Sequence, residues 1–128
     1  EYNKIEKLIE KKGITNIKNI GFCTYLDKVF SAGDVVFSRG GGMGLTEQLN
    51  KHIPFILREK LIINEKINKY YFAHKVLGIA MKKLSNAPKI IEDLVLVNPE
   101  ILKVMSSNAE KYCKPNSTAD LVNHILQK

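Results

Sequence analysis
The chain has 128 residues, 45% of them hydrophobic, and a formal charge of +7. That is enough chain for one domain with its own core, and no apolar run approaches the ~18 residues that a membrane-spanning helix needs. The opening residues EYNKIEKLIEKKG alternate charge and lack the apolar stretch of a secretion signal. They start inside a helical pattern on Glu1, so the chain reads as part of a longer protein.

Ile5, Leu8 and Ile9 lie on one face of a helix over 3–12, stopped by Gly13. Asn19 to Cys23 is short, apolar and bounded by polar residues, which predicts a strand. Thr24 to Ala32 predicts a short helix with a capping-box pattern at Thr24 and Asp27 and a buried stripe of Leu26, Val29 and Phe30. Asp34 to Ser38 reads as a buried strand, Met43 to Lys51 as a helix, and Pro54 to Leu57 as a strand whose first position tolerates proline. A longer helix over Asn64 to Leu77, closed by Gly78, precedes a very short strand at Ala80 and Met81. Three helices close the chain, over Asn86 to Val97, Pro99 to Tyr112 and Ser117 to Gln127; Asn98 caps the second, and Ser117 with Asp120 repeats the capping-box spacing. Strands alternating with helices predict parallel strands joined by crossovers, an α/β layered fold in which ligands bind at the carboxyl ends of strands.

Cys23 and Cys113 have no metal-like spacing to each other or to His52, His74 and His124, and they read as two buried thiols in a reducing compartment. Charge is uneven. Residues 58–83 carry seven basic groups against Glu59 and Glu65, a local excess of +5, whereas residues 21–57 and 84–128 each balance to zero. Such an excess suits an anionic ligand or an anionic membrane surface. Nucleic acid is disfavoured, since the segment has no nucleic-acid motif and no basic-aromatic signature.

The informative stretch is SRGGGMGLTE, Ser38 to Glu47. Gly40, Gly41, Gly42 and Gly44 lie between a buried strand and a helix start, where glycine lets backbone approach a ligand and the helix offers open N–H groups and the positive end of its dipole. Together these predict a site for phosphate or another anion, the alternative being a tight strand-to-helix turn that binds nothing. It is not a P-loop, because no lysine follows the glycines, and not the dinucleotide fingerprint, because Leu45 stands where its last glycine would fall. Glu47 lies near the helix start, where it can complement the dipole or accept two hydrogen bonds from a ribose.

The run from Asp34 to Glu47, followed by Pro54, Asn64-Glu65 and Asn68, resembles the C-terminal domain of glycosyltransferase family 28, which includes lipid I N-acetylglucosaminyltransferases and diacylglycerol glycosyltransferases. The resemblance covers about Phe22 to Gly78, and more weakly the closing helices. It implies a Rossmann-like three-layer parallel sheet, the C-terminal half of a GT-B glycosyltransferase, with residues 1–128 forming one truncated donor-binding domain. Implied roles are a diphosphate cradle at Gly40, Gly41, Gly42, Met43, Gly44 and Thr46, a ribose contact at Glu47, and a uracil pocket at Phe22, Cys23 and Leu26. Asn64, Glu65 and Asn68 fall where the family contacts the donor sugar. Asn64 stands where the family has Gln, and Asn68 is open to a structural role.

The implied reaction is inverting transfer of a hexose from a UDP-sugar to an acceptor, lipid-linked by analogy, with no metal and no cofactor. The general base and acceptor site belong to an N-terminal domain or a separate partner subunit, so this domain alone is expected to be inactive. The implied location is the cytoplasm, at the inner face of the membrane. A UDP-sugar hydrolase or epimerase of the same fold, or a donor-binding subunit needing a separate membrane-anchored partner, are the alternatives. His52 and His74 read as surface or packing residues rather than bases.

Overall fold
A computed structural model describes residues 1–58 and 63–127. Its helices are α1 (Tyr2–Lys12), α2 (Leu26–Ser31), α3 (Gly42–Asn50), α4 (Ile63–His74), α5 (Ala87–Glu92), α6 (Pro99–Tyr112) and α7 (Ser117–Leu126). Its strands are β1 (Val36–Ser38), β2 (Phe55–Leu57) and β3 (Gly78–Ala80). The strands form one parallel sheet in the order β1-β2-β3, with Val36 paired to Phe55 and Phe55 to Gly78.

β2 is the central strand and is buried along its whole length, as a parallel strand covered on both faces must be. Successive side chains of a strand alternate between faces, and β2 divides the core accordingly. Phe55 and Leu57 pack with Leu45 and Leu49 of α3, Phe72 of α4, Leu77 and Ala109. Ile56 packs on the other side with Met81, Leu94 and Met105. The result is three layers, with α3 and α4 on one face of the sheet, α5 and residues 93–97 on the other, and α6 giving Met105 to one cluster and Ala109 to the other. The Rossmann-like α/β architecture expected from the sequence is the one observed.

Several local expectations are corrected. No strand forms at Asn19 to Cys23; the segment is irregular, Gly21 adopts a φ of +68°, and Phe22 is 94% exposed. What holds the segment is α1: an added Cβ on Gly21 would lie 2.9 Å from the Tyr2 ring, and Asn19 Nδ2 donates to the Tyr2 carbonyl. The capping boxes at Thr24 and Ser117 do not form, since α2 and α7 start from Tyr25 and Asn116 without a side-chain cap. Asn98 precedes α6 without a side-chain bond, although Pro99 does occupy its first turn. The helix expected over Asn86 to Val97 divides into α5 and a π-helical turn, Asp93–Val97, which sets Leu94 into the core.

The end of α4 differs in an instructive way. Gly78 does not close the helix. Val76 adopts a φ of +54°, with Leu77 N donating to the Phe72 carbonyl and Val76 N to the Ala73 carbonyl, a left-handed helix cap built on a β-branched residue. Gly78 instead begins β3 against Phe55. Because Val76 is half exposed and glycine lacks the steric penalty of that conformation, Val76→Gly is expected to stabilise the fold by about 1 kcal/mol. A denaturant midpoint unchanged or lowered by the substitution would contradict this.

Candidate functional site
The glycine turn lies at the carboxyl end of β1, where α/β sheets place their ligands. Gly40 takes a φ of +85° and is buried over Leu57 and Leu45, a conformation and a closeness that favour glycine. Gly41, at φ −65° and ψ 142°, is the N-cap of α3 and offers no side chain to it. The N–H groups of the first turn of α3 are therefore left open to a ligand. Among the described residues, Cβ atoms added at Gly41 or Gly42 would meet nothing within 4 Å. Met43, in the same turn, is 85% exposed.

Thr46 lies one turn into α3. Its Oγ1 donates to the Gly42 carbonyl at 2.8 Å, one helical turn back, so its proton is already directed within α3. Beneath the turn, Gln48 fills the helix's buried stripe between Leu45 and Leu49, with its Nε2 below Gly44.

Glu47 is the sixth residue of α3 and exposed. The helix dipole acts within the first turn, so a carboxylate this far along does little to complement it. Glu47 does line a cavity of about 390 Å³ between α2 and α3, with Thr24, Leu26, Asp27, Phe30, Asn50 and Lys51. That volume lies in the range of small-ligand pockets. Of the expected uracil residues, Leu26 reaches this cavity; Phe22 and Cys23 are not among its lining residues. The structure thus brings Leu26 and Glu47 together beside the turn. It adds Thr24, Asp27, Phe30, Asn50 and Lys51, which the sequence marked only as parts of helices.

The start of α4 is fastened to the turn by two side chains. Arg39 Nη2 meets Glu65 Oε1 at 2.8 Å, and Asn68 Nδ2 donates to the Gly40 carbonyl at 3.0 Å. Glu65 is nearly enclosed, with 7% of its side chain exposed, while Arg39 keeps 63% of its own in solvent. A buried carboxylate needs such a partner, and most of the Arg39 side chain stays in solvent. Asn68 braces the turn rather than its own helix. Asn64 lies in the first turn of α4, and its side chain falls outside the described residues.

The histidines lie elsewhere. His52 follows α3 in a left-handed conformation at the amino end of β2, opposite the glycine turn, and lines a second cavity of about 630 Å³ with Asp34, Pro54, Lys103 and Glu110. His74 is exposed at the last turn of α4. Both cysteines are free. Among the described residues, no helix is long and apolar enough to cross a membrane.

No family model matches the chain. Several curated proteins are similar to it, among them the following three. Monogalactosyldiacylglycerol synthase 3, chloroplastic, of Arabidopsis thaliana is 31% identical over 109 residues, which are 85% of this chain and 23% of that protein. A processive diacylglycerol beta-glucosyltransferase of Staphylococcus epidermidis is 29% identical over 121 residues, 88% of this chain and 30% of that protein. The UDP-N-acetylglucosamine--N-acetylmuramyl-(pentapeptide) pyrophosphoryl-undecaprenol N-acetylglucosamine transferase of Vesicomyosocius okutanii is 27% identical over 117 residues, 86% and 34% of the two chains. The chain therefore spans from about a quarter to a third of the length of these relatives.

Proposed function
This chain is a glycosyltransferase domain of the family 28 type, and from that premise we propose that it binds the nucleotide-sugar donor, a UDP-sugar. The observation that carries the reading is the open first turn of α3: a strand end, a buried left-handed glycine and an N-cap without a side chain leave backbone N–H groups open. A diphosphate is the anion that suits it, and in this reading the attached nucleoside occupies the cavity at Glu47.

In this reading Gly40, Gly41, Gly42, Met43 and Gly44 hold the diphosphate. As the bond from sugar to phosphate breaks, charge grows on the departing diphosphate. Fixed N–H dipoles stabilise that charge without reorganising. Arg39, solvent-facing beside the turn, adds a positive charge to the same region. Glu47 accepts the ribose hydroxyls, Leu26 borders the base, and the α4 residues Asn64, Glu65 and Asn68 lie on the donor-sugar side. A lipid acceptor is in keeping with the relatives, two of which are named for diacylglycerol; transfer of a hexose with inversion belongs to the same proposal. The general base and the acceptor pocket come from an acceptor-binding domain or partner subunit.

Titrating UDP into the labelled chain while following its NMR spectrum tests the site. Shifts are expected at Gly40 to Glu47 and along Thr24 to Phe30. Shifts confined to the opposite end of the sheet, around His52 and Lys103, would sink the assignment. Glu47→Ala is expected to weaken UDP about tenfold, the worth of a hydrogen bond to a charged group, and to leave pyrophosphate affinity unchanged. Equal losses for both ligands would remove Glu47 from the ribose.

A further inference from the structure
We propose that the cavity at the amino ends of β1 and β2 is a second ligand site, for a small zwitterion of the ω-amino-acid type, with its ammonium and carboxylate at opposite ends. The cavity holds about 630 Å³, in the range of small-ligand pockets. The sheet side supplies buried Ile53 and Pro54, with Asp34, Lys51 and His52. The other wall is α6, whose lining residues Pro99, Leu102, Lys103, Ser106, Ser107 and Glu110 have the three-and-four spacing of one helix face. His52 occupies the left-handed position after α3 where glycine is usual, its N–H donating to the Leu49 carbonyl and that of Ile53 to the Gln48 carbonyl. The fold thus carries a strained backbone at a residue that lines the cavity.

The lining carries both signs of charge and leaves them unmatched. Among the described residues, Asp34, Lys51, His52 and Glu110 form no ion pair, and their side chains make no hydrogen bond. Lys103 Nζ meets Glu100 Oε1 at 3.0 Å, but the two side chains are 75% and 76% exposed, and such a pair holds its members weakly. The hydroxyls are free as well. Ser31 and Thr46 turn theirs onto their own helices, whereas Ser106 and Ser107 make no such bond among the described residues. Lys103 and Glu110 are two turns apart, about 10 Å along the axis of α6, with the two serines between them. A carboxylate at Lys103 and an ammonium at Glu110 answer both ends of this wall, while an ion of one sign meets its own charge at one of them. No Phe or Tyr lines the cavity to stack on a nucleobase. No three His, Cys, Asp or Glu side chains are grouped for a metal among the described residues. The inference stands on this cavity alone and does not depend on the donor reading.

The test is an NMR titration of the labelled 128-residue chain with aminocaproate, whose ammonium and carboxylate end an unbranched methylene chain. Saturable shifts are expected at His52 to Pro54 and from Lys103 to Glu110, half-complete at about 1 mM or below. Caproate and hexylamine, each with one of the two charges, and glycine, with the two adjacent, should bind about tenfold more weakly or worse. Lys103→Gln and Glu110→Gln should each weaken aminocaproate about tenfold, the worth of one charge-assisted hydrogen bond. Both positions are exposed, so NMR dispersion and UDP-induced shifts should persist in the variants. Absent or non-saturating shifts, equal affinity for caproate, hexylamine or glycine, or binding that both variants leave intact would overturn the proposal. Aminocaproate shifts centred on Gly40 to Glu47 would overturn it too, by placing the ligand at the other end of the sheet. Saturable aminocaproate binding without any UDP-induced shift would support this site and strike the donor reading alone.

Discussion

Gly41→Asp is expected to stabilise the fold and abolish donor binding together. Gly41 already has the extended conformation that capping residues adopt, and a Cβ there meets no neighbour. An aspartate in that place accepts hydrogen bonds from the open N–H groups of α3 and complements the helix dipole, worth about 0.5–1 kcal/mol. Those N–H groups are the ones assigned to the diphosphate, and the new carboxylate adds like charge. UDP affinity should fall about a hundredfold, the equivalent of one to two charge-assisted hydrogen bonds. Thermal unfolding and UDP titration on one preparation suffice to check both signs. A stabilised variant that still binds UDP would show that the first turn of α3 is not the phosphate site. Gly41→Ala, with neither charge nor acceptor, serves as the comparison.

The largest stability effect is expected at the far glycine. A Cβ on Gly78 would lie 2.7 Å from the Phe55 Cβ and 3.0 Å from its carbonyl carbon. Neither atom moves cheaply: Phe55 is fully buried in the central strand, with its ring edge-on to Phe72 at 5.2 Å. Gly78→Ala must part β3 from β2 or displace Phe55, and should cost about 3 kcal/mol or more. That is a large share of the total stability of a small domain. Urea unfolding of Gly78→Ala beside Gly42→Ala separates crowding from the loss of a glycine as such, because a Cβ on Gly42 meets open space. Similar midpoints for the two would refute the close packing of β2 on β3.

Much of the candidate site's framework was legible in the sequence, for physical reasons. β1, α3 and β2 are marked by a β-branched run, a glycine cluster and a proline before an apolar triplet, each a local signal. Asn19 to Cys23 shows the limit of such signals: it has a strand's composition, but a strand needs a neighbour, and Tyr2 on Gly21 gives this segment a different one. Gly78 carries the same lesson. Its position after a helical pattern suggests a cap, whereas the constraint on it comes from Phe55, 23 positions earlier in its pairing partner. The bond of Arg39 to Glu65 spans 26 residues, and that of Asn68 to Gly40 spans 28, so no local pattern announces either.

Those two bonds share a geometry. Glu65 and Asn68 are three apart on a helix, which separates them by about 4.5 Å along the axis, and they grip Arg39 and Gly40, neighbours about 3.8 Å apart along the backbone. The two spacings match the way the teeth of two gears do. A residue inserted between Glu65 and Asn68 would put them out of mesh, and exchanging either pair alone would break the contact of Arg39 with Glu65 or of Asn68 with the Gly40 carbonyl. Arg39-Gly40 and the Glu-x-x-Asn of α4 therefore form one interchangeable part, to be transplanted whole by anyone who grafts this turn onto another sheet.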